Sequence, residues 1–307
     1  MSVINTNISA TIASNAIIRN DRAMGTAMER LSTGLRINSA KDDAAGLAIA
    51  SRMTATVSGL EMAAKNANDA ISMLEVAEGA TLEISNMLIR MRELAVQSAS
   101  GTYSDTDRDA MDLEFGALMS EIDRIATNTT WNTMSILDGV GAGASTAVTT
   151  VTIQLGAGPG ETMPLTFKSW KPSSSVDVAG TGVAADVSDV STHAFGTAAL
   201  QYGAGPTSIN VDTAAAASNA ISQLDKAILG ASAERANYGA YMSRLEHSSD
   251  NLLNVAQNTD QSRSRIEDAD YAVETSELAR TQIISQAATA MLAQANQAKQ
   301  GVLQLLQ

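Results

Sequence analysis

Apolar residues along this chain recur at alternating spacings of three and four over long stretches, the seam of helices that pack side by side. Ala50, Met53, Val57, Leu60, Ala64, Ala67, Ile71 and Leu74 hold one register without a miss. The register then restarts one step early at Ala77 and continues through Ile84, Leu88, Met91 and Ala95, a stammer that changes the local winding. Residues 43–99 are therefore predicted to form one long helix. Gly101, Tyr103 and Ser104 mark a turn, after which Met111, Phe115, Leu118, Ile122 and Ile125 predict a shorter helix doubling back on the first. A third seam starts near Ala214 and runs through Ile221, Leu224, Ile228, Ala231, Tyr238, Met242, Leu245, Leu252 and Ala256. Only Arg235 and Ser249 interrupt it, so it predicts the long partner returning along the bundle.

The two ends carry stripes of the same kind. Ile4, Ile8 and Ile12, then Ile17, Met24, Met28, Leu31 and Leu35 line the start; Ile284, Ala288, Met291, Ala295, Ala298, Val302 and Leu305 line the finish. An amphipathic end without a local core must bury its stripe against the other end or against neighbouring chains. Ile4, Ile8, Ile12, Ile284, Met291, Val302 and Leu305 are accordingly the candidate association residues. Between about 140 and 213 the period changes: Val, Thr and Ile alternate with Gly and all four prolines, which favours short strands and turns. The expected fold is mainly α, a long antiparallel helical bundle with terminal coiled-coil helices and a small β-rich, outward-facing insert.

Composition agrees with thin helical seams, because aromatic residues make up only 3% of the chain and Ala, Met, Leu and Ile supply the apolar surface. A net charge of −13 repels phosphate backbones and anionic lipid, which argues against nucleic acid and membrane surfaces as partners. No stretch is long and apolar enough to span a bilayer, so no membrane insertion is expected. The first twenty residues lack a basic segment followed by an apolar run, so no cleavable signal peptide is expected.

Reactive chemistry is sparse. The absence of cysteine removes disulfides, zinc thiolates and a thiol nucleophile, and the two histidines, His193 and His247, lie far apart in sequence. Asp105, Asp107 and Asp109 imitate the opening of a calcium loop, but Ala110 stands where its turn needs Gly and Gly116 where a bidentate Glu belongs. These acids instead suit the first turn of a helix, where they complement its dipole. Gly156, Gly158 and Gly160 precede Glu161-Thr162-Met163-Pro164, which cannot start the helix a phosphate loop requires. Ser39 to Asp42 and Ser264 to Glu267 have capping-box spacing and are expected to start helices. No catalytic residue, metal site or cofactor is predicted.

The segment LSTGLRINSAKDDAAGLAIA at 31–50 resembles the N-terminal signature of bacterial flagellins. MRELAVQSAS at 91–100 and SEIDRIATNTTWNTMSILDG at 120–139 continue the resemblance, and residues 244–297, with SRIEDADYA at their centre, resemble the family's C-terminal signature. Only about 140–213 is uncovered, the region where flagellins differ most. The resemblance implies a filament subunit and no enzyme. It places 1–39 and 266–307 in a filament-core coiled coil, 40–139 and 214–265 in a helical bundle, and 140–213 in a variable outer domain. It implies secretion through the flagellar type III apparatus to an extracellular filament. The implied partners are further copies of the chain, other flagellins, an export chaperone, the filament cap and the hook-junction proteins. Arg90, Leu94 and Glu114 match the family's subunit-interface face, which is also the face recognised by the vertebrate Toll-like flagellin receptor. Two departures stand out: the family's Phe-Asn-Gly reads here as Trp131-Asn132-Thr133, and Ile89 stands where recognised flagellins often carry Gln.

Overall fold

The structure is a computed structural model that describes residues 7–138, 148–172 and 209–304. In chain order these form α1 (Ile8–Thr33), α2 (Ala44–Ala99), α3 (Asp105–Asn128), β1 (Thr130–Trp131), β2 (Met134–Ser135), β3 (Val148–Gln154), β4 (Thr162–Lys168), α4 (Ala214–Glu267) and α5 (Tyr271–Gln304). The mainly helical class and the small strand insert are as expected. The chain divides into two units, Met1–Ser58 with Val255–Gln307, and Gly59–Asn254.

In the Gly59–Asn254 unit the predicted registers become the core. Leu60, Ala64, Ala67, Leu74, Ala77, Ile84, Leu88, Met91 and Ala95 of α2 are buried, as are Met111, Phe115 and Ile122 of α3 and Leu224, Ala231, Tyr238 and Leu245 of α4. Two ion pairs give the direction of packing: Arg235 meets Glu78 at 3.5 Å and Arg92 meets Asp225 at 2.5 Å, so numbers fall along α4 as they rise along α2. The α2–α3 turn is closed by Arg108, whose guanidinium donates to the carbonyls of Ser100 and Tyr103. Ser104 caps α3 in a reciprocal box with Asp107, which confirms the dipole role of these acids. Hydrogen bonds from the Ser104 hydroxyl and backbone hold the Asp107 carboxyl below its ordinary value.

Strands β3 and β4 form an antiparallel hairpin in which Val151 opposes Leu165 and Ile153 opposes Met163. Its turn is tied by the Glu161 carboxylate, which accepts from the Gly158 N–H at 3.0 Å. A Cβ on Gly156 would fall 1.8 Å from that carboxylate, so only glycine fits. This part of the insert does not face outward as expected. Leu165, Phe167 and Trp170 are fully buried in the same core as α2 and α4, with the Phe167 and Tyr238 rings 5.7 Å apart. The Ser- and Thr-rich remainder, including His193, lies outside the described residues.

In the terminal unit α1 and α5 pair antiparallel. The Asn7 amide reaches the Ala295 carbonyl at 3.4 Å, the Asn20 amide reaches the Thr281 carbonyl at 2.7 Å, and Arg30 meets Glu274 at 3.0 Å. Gly34 ends α1 in the left-handed conformation, φ 75°, from which the chain runs beside the end of α4: the Arg36 N–H donates to the Glu267 carbonyl and the Ala269 N–H to the Gly34 carbonyl. Neither predicted capping box starts a helix. Helix α4 continues through Ser264 to Glu267, and the Ser264 hydroxyl donates to Asp268 beyond its end. The α5 cap is Asp270, which accepts from the N–H groups of Ala272 and Val273. Asp42 closes a turn with Ser39, and its neighbour Asp43 caps α2 by accepting from Ala45 and Gly46. Acids adjacent in sequence were indistinguishable by spacing alone.

Candidate assembly surfaces

The seam between α1 and α5 is built mainly from small and polar side chains, with a few larger apolar ones among its half-buried members. Asn20, Ala27, Glu274 and Thr281 are its buried members, and Ala10, Ala13, Ile17, Met24, Ser285, Ala288, Leu292 and Ala295 are half-buried. Small residues allow close helix approach, while one buried amide and one buried ion pair fix register more than they add stability. The larger apolar residues are turned out. Ile8 is 57% exposed and Ile12 62%; on α5 Met291 is 69% exposed and Ile284 39%. Thus the expected association residues Ile8, Ile12, Ile284 and Met291 do not fill the intrachain seam. Ala288 and Ala295, read as part of the same stripe, do. Val302 lies on α5, and Ile4 and Leu305 lie outside the described residues.

Met28, read as part of the N-terminal stripe, is also exposed, and sequence reasoning missed further members of this exposed set: Ile18 on α1, and Tyr271, Val273 and Ile283 on α5. They sit a step away from the assumed stripe. The available signal was that Ile283 and Ile284 are adjacent, so they cannot share one narrow helix face.

The second expected face is divided. Arg90 and Glu114 join α2 to α3 by an ion pair at 2.9 Å, and Arg90 also meets Glu93 at 3.1 Å. The hydrogen bonds that Arg90 donates to the Glu114 and Glu93 carboxylates raise its pKa above the ordinary value. Leu94 is not on this surface: it is 2% exposed and packs in the core of its own unit. Helix periodicity explains the correction, since Leu94 continues the inward row of Leu88, Met91 and Ala95 and not the row of Arg90 and Glu93. The exposed apolar residues of α2 near this face are instead Leu82, Ile89 and Val96, one heptad apart, with Met62 and Val76 further towards its start, and Leu113 of α3 is 73% exposed. Among the described residues there is no cluster of metal-binding side chains, and no helix is long and apolar enough to cross a membrane.

Paired terminal helices with outward apolar flanks, together with a helical bundle that has its own apolar core, define a structural protein that works by association. Comparisons with known proteins give the family. Residues 4–142 match the bacterial flagellin N-terminal helical region and residues 221–306 the bacterial flagellin C-terminal helical region. The flagellin of Xenorhabdus nematophila is 43% identical over 319 aligned residues, and that of Halalkalibacterium halodurans 40% identical over 304. The flagellar filament 33 kDa core protein of Treponema phagedenis is 38% identical over 304 residues, and each alignment covers 99% of both chains. This chain belongs to the flagellin family. It is a structural protein of the flagellar filament and not an enzyme.

Proposed function

We propose that this flagellin polymerises through the outward apolar flanks of α1 and α5, with Ile8, Ile12, Ile284 and Met291 as contact residues and Ile4, Val302 and Leu305 extending the stripes. The observation that carries this reading is the inversion of side-chain size across the terminal pair. Every buried member of its own seam is small or polar, and most of its large apolar groups face solvent. Exposed apolar area of this kind gains about 25 cal/mol per Å² when a neighbour covers it. In this reading 1–39 and 266–307 are the two halves of the filament-core coiled coil, 40–139 and 214–265 form the surrounding bundle, and 140–213 contributes the variable outer part. The partners are further copies of this chain, or of other flagellins, joined at the growing end under the cap and beyond the hook-junction proteins.

The test is removal of residues 1–39 and 268–307. The remaining chain is expected to stay folded and monomeric and to leave filament seeds unextended. Seeded growth of the truncated protein into pelletable polymer would refute the assignment.

Export through the type III apparatus with a dedicated chaperone, and so an extracellular location, rests on family membership and belongs to the same proposal. So does recognition of the monomer by the vertebrate Toll-like flagellin receptor through Arg90 and Glu114, whose side chains are about half exposed. Leu94 supports that face from beneath. A reporter assay is expected to show signalling by monomer, reduced by Glu114→Ala, and none by filament. Equal signalling by filament and monomer would contradict it.

A further inference from the structure

One open cleft in the Gly59–Asn254 unit has no part in this assembly account. It has a volume of about 510 Å³ and lies between α2, the β1–β2 hairpin and β3. Its floor is apolar, with Ala70 and Met73 of α2, and Trp131 stands half-buried at its side. The polar lining consists of Asn66, Asp69, Asn132, Thr152 and Gln154, three amides, one hydroxyl and one carboxylate, with no Lys or Arg among the lining residues. We propose that this cleft is a binding site for a short neutral saccharide.

The chemistry of the lining favours that ligand. A pyranose ring presents a face of weakly positive C–H groups that packs on the negative π-face of an indole, and a rim of hydroxyls that both donate and accept. Amides match that dual character, and a carboxylate accepts from two neighbouring hydroxyls at once. Some of these groups are also available. Asp69 and Asn132 are exposed and have no hydrogen-bond or ion-pair partner among the described residues, and neither has the Trp131 indole N–H. The Gln154 amide nitrogen is committed to the carbonyls of Gly156 and Gly158, which fixes its side chain and leaves its carbonyl oxygen as an acceptor.

The hairpin that carries Trp131 and Asn132 is strained. Asn132 has φ 46° and Thr133 φ 68°, and a β-branched residue in that region is a genuine outlier. The tight two-residue turn demands both angles and holds Trp131 and Asn132 at the cleft wall. Other occupants fit less well. An added β-strand would need the free edge of β3, but the Asn66 amide already occupies the Gln154 carbonyl at 3.3 Å. An anionic ligand would meet Asp69 with no cation in the lining, on a chain of net charge −13.

Titration of the full-length monomer with methyl glucoside, methyl N-acetylglucosaminide, lactose and sialylated lactose, followed by tryptophan fluorescence, tests this directly. Trp170, the second tryptophan, is fully buried, so a ligand-induced change reports Trp131. At least one neutral sugar is expected to give a saturable change, and sialylated lactose is expected to bind more weakly than lactose. Asp69→Ala, on an exposed helix position, should weaken binding about tenfold while leaving the circular dichroism unchanged, the loss of one charge-assisted hydrogen bond. Trp131→Ala, followed by calorimetry, should abolish binding; if that variant unfolds, Asp69→Ala decides. Absence of a saturable response to every sugar, binding unchanged in Asp69→Ala, or tighter binding of the sialylated form would each overturn the proposal.

Discussion

The terminal pair α1–α5 and the α2–α3–α4 bundle are written in similar heptads, yet they spend their apolar residues in opposite ways. In the bundle Leu74, Ile84, Leu88, Met91, Phe115 and Tyr238 point inward, and the exposed rows of α2 and α4 are bridged by Arg92–Asp225 and Arg235–Glu78. In the terminal pair the inward row is Ala, Ser, Asn, Thr and Glu with few large apolar members, while Ile8, Ile12, Ile283 and Met291 point out. The lesson is that a heptad seam states that a helix will be covered, and side-chain size along each flank states by what. A bundle filled with large side chains has its core complete in one chain, though Leu113 and Leu229 remain outside it. A terminal pair zipped by alanines leaves its larger surface for other chains.

The comparison breaks most readily at the core. Ile84→Ala or Leu88→Ala is expected to cost about 2–5 kcal/mol of monomer stability by leaving a cavity, measured by urea unfolding. Ile12→Ala is expected to leave the same transition unmoved, since Ile12 is already in solvent. A comparable loss at Ile12 would show that the terminal flanks are covered within the monomer. Leu94→Ala belongs with the core variants, because its side chain is as buried as theirs.

A pH experiment sharpens the contrast. Burial foremost, and the Glu234 charge beside it, push the Tyr238 phenol well above its ordinary value of 10.0. The folded state thus favours neutral Tyr238, a contribution fully present below about pH 10 and lost as pH rises from there towards the folded value. Tyr238→Phe is expected to change stability little at pH 7 and to unfold less readily than the parent above pH 10. Identical alkaline unfolding curves for the two would show that this buried phenol does not govern the bundle's upper pH limit. At the acid end the sign is opposite. The lowered pKa of Asp107 means that the α3 cap is intact above pH 3.8 and lost as pH falls through the folded value.

Smaller effects test the other side. Asn20→Ala removes the buried amide that reaches the Thr281 carbonyl and should cost about 1 kcal/mol, read as faster amide exchange confined to α1 and α5. Exchange that speeds equally in α3 would mean the terminal pair is not an independent element. Thr133→Gly should stabilise the bundle by about 0.5–1 kcal/mol, since relief of the left-handed strain exceeds the entropy lost to glycine. A lower melting temperature for that variant would contradict the strain.

Much of this was legible in the sequence. The registers of α2, α3 and α4 were clear because Leu, Ile, Met and Phe mark an inward row, whereas α4 runs on to Glu267, past the last residue of its row at Ala256. The α5 stripe was read only half correctly: Ala288 and Ala295 do face inward, but Thr281 and Ser285, which share their row, carry little hydrophobic signal, and the larger Ile284 and Met291 were taken in their place. Glu234 was illegible for a related reason. A carboxylate reads as solvent-facing, and only the fold brings the Lys168 ammonium to within 3.7 Å of it. Leu94 was assigned to a surface by resemblance, and the seam read as Leu88, Met91 and Ala95 passed beside it without including it, although it is buried with them.

The most direct test of the account is seeded assembly of the double variant Ile12→Asp, Met291→Asp, followed by sedimentation. Both residues are exposed, so the monomer should keep its melting temperature and circular dichroism. Two charges at a surface that must be desolvated between subunits should abolish elongation of filament seeds. Normal elongation by a variant that folds like the parent would contradict the claim that the outward flanks of the terminal helices are the polymerisation surface.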